Sequence, residues 1–569
     1  MGHPVAEQKP SWPIDDGNHD SAGEHVLSGT PLHIANVAID QPIIETYTKF
    51  YDPEDLSTHC EVFVSSTLTL ADYEAITPKA EMDQVKVFAE GLRGKNVLRI
   101  NATSAGGGVA IMIAPWLNIM QELGVDAHWH ALAPDADAAI VTKRKFHNIL
   151  QDVADPGEIL TEDDKVTYKE WIAKNAEFLE EPIRKAEVII IDDWQPSGLI
   201  QYIKGYTEQT PDGPIEHPGF NPDAKILFRD HIQTEGALMG TPGTPQHRTW
   251  QFLWEENRIK EADVFIAHPM DEFFPPDVPA EMAVSMPATC DLLDDLNRDL
   301  NEAELEAGYD FINTILAETR RQSPLDLSRP YIVLIARFDE SKGMPEGLES
   351  YAKARQIMID AGAEEKDIPQ FVIIGNGSVD DPSGPMMLEK ILDLREGPYK
   401  DFMDDLKVVR VPHDDRAINS VLTGAKLAMQ PSTKEGFETR VTDAILKGVP
   451  IIGSNRGGIP LQIKEGITGH VKDPYDTDAW AARISELMLD IDAYESLQAS
   501  TIELGLPENY KFTTIPNISR WLWLAQNVGE DFAGNKQWVD VLIREAALEA
   551  ASEDISRNIG QQTLRLLAA

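Results

Sequence analysis

Residues 427–463, LAMQPSTKEGFETRVTDAILKGVPIIGSNRGGIPLQI, constrain the fold more than any other stretch of the chain. They read as strand, loop, helix, strand and glycine turn. Residues 427–430 form a short apolar run that Pro431, Ser432 and Thr433 break. A helix is predicted to open at Glu435-Gly436 and to close at Lys447-Gly448, because a basic residue followed by glycine ends helices. Residues 449–453 read as the next buried strand, and Gly457-Gly458 permits a tight turn. A strand–helix–strand unit of this kind calls for a parallel sheet, whose ligands sit beyond the carboxyl ends of the strands. Glu435 falls at such an end. Asp443 falls on nearly the same side of the predicted helix, roughly 12 Å further along. Two carboxylates so placed are spaced to grip hydroxyl pairs at the two ends of one elongated ligand.

The same period recurs upstream. Residues 96–103 (NVLRINAT) run as a strand into Ser104-Ala105-Gly106-Gly107-Gly108 and then a predicted helix over 109–123. A strand, a glycine loop and a helix start present free backbone N–H groups to an anion or a sugar, which nominates Gly106, Gly107 and Gly108. The spacing is not G-x-G-x-x-G, so no dinucleotide fingerprint is predicted. Further strands at 127–132, 187–192, 225–232 and 263–268 make an open parallel α/β domain. Three of them end in polar clusters on one sheet edge: Asp193-Trp194-Gln195, Arg229-Asp230-His231 and His268. Asp193, Gln195, Arg229, His231 and His268 are therefore candidate ligand residues.

A second sheet is predicted from strands at 331–336, 371–374, 408–411, 427–430 and 450–452. The fold class is α/β, with two doubly wound domains in series. The expected organisation is a loose tail over 1–30 and an extension over 31–95, with a helix around 79–92, packed on the first domain. The first domain spans 96–290 and the second 291–490, with residues 292–325 helical. Helices over 491–569 follow, in which Trp521, Trp523 and Leu524 pack across both domains.

Charge narrows the partners. Fifty basic residues against 95 acidic ones give a net charge of −45. Such a field repels nucleic acid and anionic membranes, so neither is an expected partner. It also repels phosphorylated ligands unless cations gather locally. Arg337 and Lys342, in ARFDESKG, flank a loop at the carboxyl end of the first strand of the second sheet. A guanidinium fork and a nearby ammonium together make a phosphate clamp. Cys60 and Cys290 are the only cysteines, which favours a reducing, cytoplasmic setting. Neither a signal peptide nor a stretch of apolar residues long enough to span a membrane is read. A D-A-D triplet at Asp135–Asp137 is read as surface, and no metal site is predicted.

Arg337, Lys342 and Glu435, each at a strand end of one sheet, resemble the donor site of retaining glycosyltransferases built from two Rossmann-like domains, the GT-B architecture. EGFETRVTDAILKGVPIIGSNRGGIPLQI is similar to the E-x7-E segment of the family-4 glycosyltransferases, and ARFDESKG to their R-x4-K phosphate loop. LRINATSAGGGVA, KFHNILQ, FRDHIQ and EGFETRV are together similar to the trehalose synthases and trehalose phosphorylases of that family, over about residues 75–530. The resemblance implies retaining glucose transfer that makes or cleaves trehalose in a cleft between the two domains. It places donor-phosphate contacts on Arg337 and Lys342 and the donor-sugar contact on Glu435, with Gly436, Phe437 and Glu438 following. It places His231 near the anomeric centre and the glycine loop near phosphate and acceptor. Fixed cations stabilise a departing phosphate without a metal, so no cofactor is expected. The donor is left open between a nucleoside-diphosphate glucose and glucose 1-phosphate. In nucleotide-sugar users the second glutamate of the motif grips ribose; here it is Asp443, whose reach is shorter by about 1.5 Å. IDDWQP also departs from the family's histidine-bearing version. Small sugars and sugar phosphates are the expected partners, and a homodimer is compatible with this reading. Another soluble acceptor, or a non-catalytic sugar-binding protein of the same fold, is the alternative.

Overall fold

The computed structural model describes residues 43–52, 55–104, 108–211, 213–376, 384–412, 414–529 and 532–548. Its strands are β1 Ile44–Asp52, β2 Asp55–Ser66, β3 Asn96–Asn101, β4 Asp126–Ala131, β5 Val188–Asp192, β6 Gly205–Thr210, β7 Gly213–Pro218, β8 Lys225–Arg229, β9 Val264–Ala267 and β10 Ala283–Ser285, followed by β11 Tyr331–Ile335, β12 Gln370–Asn376, β13 Leu406–Val411, β14 Leu427–Gln430, β15 Ile451–Ser454 and β16 Gly469–Lys472. They form two large sheets, ordered β1-β2-β4-β3-β5-β8-β9-β10 and β13-β12-β11-β14-β15-β16, and β6 and β7 make a separate hairpin.

The second sheet is parallel throughout, and the first is parallel from β4 to β10. Parallel sheets bury both faces, so their strands read as unbroken apolar runs, as in the fully buried Val188–Asp192. Alternate residues feed opposite cores: Val97 and Ile190 join Trp116 and Trp129 on one face, while Leu98 and Ile189 join Trp194 and Phe228 on the other. Val333 and Leu334 divide the second sheet in the same way.

Each sheet reverses direction beside its first parallel strand, β3 in one and β11 in the other. At such a switch point neighbouring loops splay apart and leave a crevice at the carboxyl ends. The glycine loop follows β3, and the Arg337–Lys342 loop follows β11. The Arg337–Lys342 loop therefore opens onto its crevice, and Gly108 lines the other.

The structure differs from the sequence reading at four places. Residues 43–66 are not an extension laid on the first domain: β1 and β2 join its sheet as antiparallel strands, with Cys60–Val62 paired to β4. Phe63 is 40% exposed while its neighbour Val62 is buried. The acidic stretch 292–325 is helical only over Glu302–Glu318, capped by Asn301 with Glu304. Before it, Asp291 and Asp294 accept the backbone N–H groups of Leu293, Leu296 and Asn297, which diverts the chain from a helix. The helix after β14 starts at Arg440, not at Glu435. Finally, the helix Ile491–Asn509 stays against Arg440–Leu446 in the second lobe, while Thr514–Asn527 crosses back and is followed by Val539, Leu542 and Ile543 in the same first-lobe core.

Trp521, Trp523 and Leu524 all lie within the core of the first lobe, and do not span both. The lobes instead meet through Phe437 and Phe512, whose rings are 5.1 Å apart and T-shaped. The outgoing and returning crossings run side by side, Cys290 donating its N–H to the Phe512 carbonyl at 3.0 Å. Asp135 caps a short helix, and the D-A-D triplet is exposed as read.

Trp521 packs over the guanidinium of buried Arg99 at 4.8 Å, and Trp116 does so at 4.9 Å. Trp521→Ala removes a buried ring and one wall of that cage, an expected cost of about 3–5 kcal/mol. Urea unfolding followed by circular dichroism checks it; an unmoved first transition contradicts this placement of the crossing helix.

Candidate active site between the two lobes

A cavity of about 270 Å³ lies between the carboxyl edges of the sheets, lined from the first lobe by residues including Gly108, Lys143, His147, Asp193, Gln195, His231 and His268. Arg337, Lys342, Glu435, Phe437, Glu438 and Arg440 line it from the second lobe. The lobes approach closely here. A side chain at Gly436 would meet the His231 carbonyl at 2.7 Å and the His268 ring at 3.2 Å. Glu435 donates its backbone N–H across the gap to Gln233 Oε1 at 2.7 Å. Gly106 and Gly107 lie outside the described residues.

The second-lobe wall centres on Lys342. Its ammonium is buried between two carboxylates, paired with Glu435 Oε2 and with Glu438 Oε2 at 2.7 Å. Glu438 also takes the Gln430 amide at 3.1 Å and sits at φ +65°, a strained setting for a residue with a side chain. These bonds pull 431–439 into a loop and explain why no helix begins at Glu435. Burial raises the Glu435 carboxyl to about 7, an effect Lys342 opposes and Glu438 reinforces. Burial works against ionised Glu438 as well, yet the Lys342 charge, the hydrogen bonds from Lys342 and Glu435 and the Arg440 charge together outweigh it and hold that carboxyl below its ordinary range. Lys342 is thus not a free clamp cation: its charge is already shared by two acids.

The first-lobe wall is built from a buried relay. Arg99 pairs with Asp192, its Nη2 donating to Oδ1 at 3.0 Å, and the same oxygen takes His231 Nε2 at 2.7 Å. Since a carboxylate only accepts, His231 carries its proton on Nε2 and leaves Nδ1 bare. Burial pushes His231 down to about 4 despite the Asp192 charge, so the ring is neutral near pH 7. His268 takes a bond from Arg229 Nη2 on Nδ1 at 3.2 Å, which leaves Nε2–H to donate to the His231 carbonyl at 3.1 Å. Its ring stacks on Phe437 of the other lobe at 5.6 Å. Asp193 is a second strained residue, at φ +72°, with its carboxylate 3.5 Å from His147 Nε2.

Two sequence candidates lie behind the wall. Arg229 is buried, donating to the Met286 carbonyl at 2.6 Å and to His268, so it fixes a lining residue without lining the cavity. Asp443 is fully buried and bound to Arg440 Nη1 at 2.7 Å; the cavity meets Arg440 instead. The helical spacing that aligned Asp443 with Glu435 does not apply, since Glu435 is outside the helix.

Sequence reasoning missed Arg99, Asp192, Lys143, His147, Gln233 and Arg440. A signal existed for the first: Arg99 is a lone charge inside an apolar strand. Lys143 and His147 sit on a π-helical segment, Val141–His147, which periodicity arguments tuned to 3.6 residues do not detect. Among the described residues no cluster of three or more His, Cys, Asp or Glu is arranged to hold a metal ion. No helix among them is long and apolar enough to cross a membrane.

Residues 99–275 match the family described as trehalose synthase, N-terminal domain, and residues 317–503 match glycosyl transferases group 1. The trehalose synthase of Thermococcus litoralis is 30% identical over 410 residues, which is 72% of this chain and 86% of that protein. The chain belongs to the trehalose synthase family. Within that family it is also similar to the trehalose phosphorylases of Grifola frondosa (34% identical over 490 residues, 83% of this chain) and Pleurotus pulmonarius (34% over 501 residues, 85%). The chain spans a little under two thirds of the length of these phosphorylases, 63% and 64%. The fold is that of GT-B enzymes. A UDP-forming trehalose-phosphate synthase from Burkholderia xenovorans superimposes with a TM-score of 0.53 at 12% identity, covering 76% of this chain and 99% of that one. A sucrose-phosphate synthase from Thermosynechococcus elongatus does so with a TM-score of 0.51 at 17% identity, covering 75% and 97%.

Two buried carboxyls change protonation near neutrality: Glu435, and Asp230, which burial also raises to about 7. Both folded values lie above the ordinary 4.5 and 3.8. Their contribution to stability is therefore full below the ordinary values and lost as pH climbs through about 7. Infrared difference spectra between about pH 6 and about pH 8 will show protonated-carboxyl bands that vanish at the higher pH. Glu435→Gln removes one band and Asp230→Asn the other. A spectrum indifferent to Glu435→Gln contradicts the assignment.

Proposed function

We propose that this chain is a retaining glucosyltransferase that makes or cleaves trehalose, and that its sugar donor is glucose 1-phosphate, with inorganic phosphate the acceptor in the reverse direction. The observation that carries the donor choice is the burial of Asp443 against Arg440. A carboxylate that grips a ribose diol must face the ligand, and this one faces the protein interior. Arg440, paired with Asp443, stands on the cavity wall in its place, beside Arg337. A cavity of about 270 Å³ is on the scale of a sugar phosphate, below the usual span for larger ligands. The similarity to trehalose phosphorylases supports the same choice.

In this reading the second lobe, 291–490, holds the donor and the first, 96–290, the acceptor glucose. Arg337 binds the phosphate. Glu435, steadied by Lys342, accepts hydrogen bonds from donor hydroxyls, and Gly436, Phe437 and Glu438 shape that subsite. Asp193, Gln195 and His268 face the acceptor, with His231 beside the reacting carbon. Breaking the glycosidic C–O bond builds positive charge on the ring, while the phosphate side carries negative charge that Arg337 stabilises. Glu435 and Glu438 are both tied to Lys342, so neither is poised as a nucleophile, and transfer proceeds on one face. In phosphorolysis a phosphate oxygen bonds to the anomeric carbon as the glycosidic oxygen leaves, and the phosphate proton passes to that oxygen. The products are α-glucose 1-phosphate and glucose.

Incubation with trehalose and phosphate yields glucose 1-phosphate by chromatography, whereas UDP-, ADP- or GDP-glucose with glucose yields no trehalose. Trehalose from any nucleotide sugar, with no phosphorolysis, overturns the donor choice. Arg337→Ala lowers kcat/KM by roughly 100- to 1,000-fold with the circular dichroism spectrum unchanged; near wild-type turnover removes Arg337 from the mechanism.

A further inference from the structure

The second-lobe wall of the cavity is a poor place for an anion when its charges are counted. Arg337 and Lys342 are its cations, while Asp339, in the same loop, and Glu435 and Glu438, bound to Lys342, are acids. With every group ionised this set carries −1, because Arg440 is already cancelled by Asp443. The missing charge comes from the opposite lobe. Lys143 Nζ stands 3.3 Å from Asp339 Oδ2, and both side chains are only 14% exposed. Asp339 cannot swing aside to escape the partnership. Its Oδ1 accepts the Ser341 backbone N–H at 2.8 Å and the Ser341 hydroxyl at 2.6 Å, so it is part of the fold of the phosphate loop. Lys143 is presented by the π-helical segment, whose wide turn leaves Lys143 and His147 both on the cavity side.

We propose that Lys143 is a positioning residue that neutralises Asp339 from across the cleft, so that the phosphate loop accepts its anion only while the two lobes are together. The inference rests on the phosphate-donor reading above. Separation of the lobes would remove Lys143 and leave the Arg337 charge facing Asp339 alone, which weakens its hold on phosphate. A desolvated charge left without its partner opposes binding of a like charge strongly, whereas the same pair in water would matter little. Anion binding and lobe closure are thereby linked, each favouring the other.

A charge ladder tests this. Counting the wall with Lys143, the wild type is neutral, Lys143→Met carries −1, Asp339→Asn +1, and the double variant is neutral again. The Asp339→Asn variant keeps the Oδ1 that caps Ser341, so the loop is retained. Phosphate dependence of trehalose phosphorolysis is expected to show KM for phosphate raised roughly tenfold or more in Lys143→Met. It is lowered in Asp339→Asn and close to wild type in the double variant, with Lys143→Arg near wild type. If the double variant keeps the full defect of Lys143→Met, Lys143 touches the anion itself and the proposal falls. It also falls if Lys143→Met changes kcat alone. Calorimetric titration with inorganic phosphate reads the same ladder without turnover. Phosphate binding that follows the ladder in a protein without phosphorolysis would sink the donor reading and leave the Lys143 role standing. Phosphorolysis with an additive ladder would do the reverse, and no phosphate binding to the wild type would end both.

Discussion

One ammonium buried between two carboxylates governs the second-lobe wall of the cavity. Taking Lys342, Glu435 and Glu438 out of water is costly, and only mutual pairing at close range offsets that cost. The pairing dictates local structure in turn. It draws Glu435 and Glu438 back towards the loop after β11, holds Glu438 in a left-handed backbone conformation, and delays the helix until Arg440. Once the helix begins there, its first turn buries Asp443 and turns Arg440 to the cavity. The chemistry available at the cleft thus follows from where a single cation is held.

The first-lobe wall depends on a different buried ion pair. Arg99, caged by two indole rings, holds Asp192, and Asp192 fixes the tautomer of His231. One of the rings arrives from the far end of the chain. Packing of the crossing helix and orientation of the His231 ring are therefore parts of one chain of contacts.

How much of this could be read in the sequence divides along physical lines. Strands buried on both faces announce themselves as apolar runs, so both parallel sheets and their carboxyl-edge loops were legible. Arg337, Lys342, His231, Asp193, Gln195 and His268, which line the cavity, are polar residues at strand ends, and that is a local signal. The helix after β14 was misjudged at its start because its end signals were good and its start is set by Lys342, 93 residues before Glu435 in sequence. Asp443 was misassigned for the same reason, since its predicted alignment assumed a helix that includes Glu435. Asp192 was hidden because its importance lies in whom it touches. Lys143 was hidden because a π-helical turn breaks the expected period.

The return of residues 514–527 to the first lobe has a consequence for how the chain is made. The core around Trp116 and Trp129 includes Ile518, Trp521 and Leu522, which leave the ribosome only after the whole second lobe. During synthesis the earlier lobe must wait with one apolar flank uncovered while the later one, complete in its own sheet and helices, can collapse first. Birth order and completion order are thus inverted: the half of the protein that emerges first is the last to be sealed.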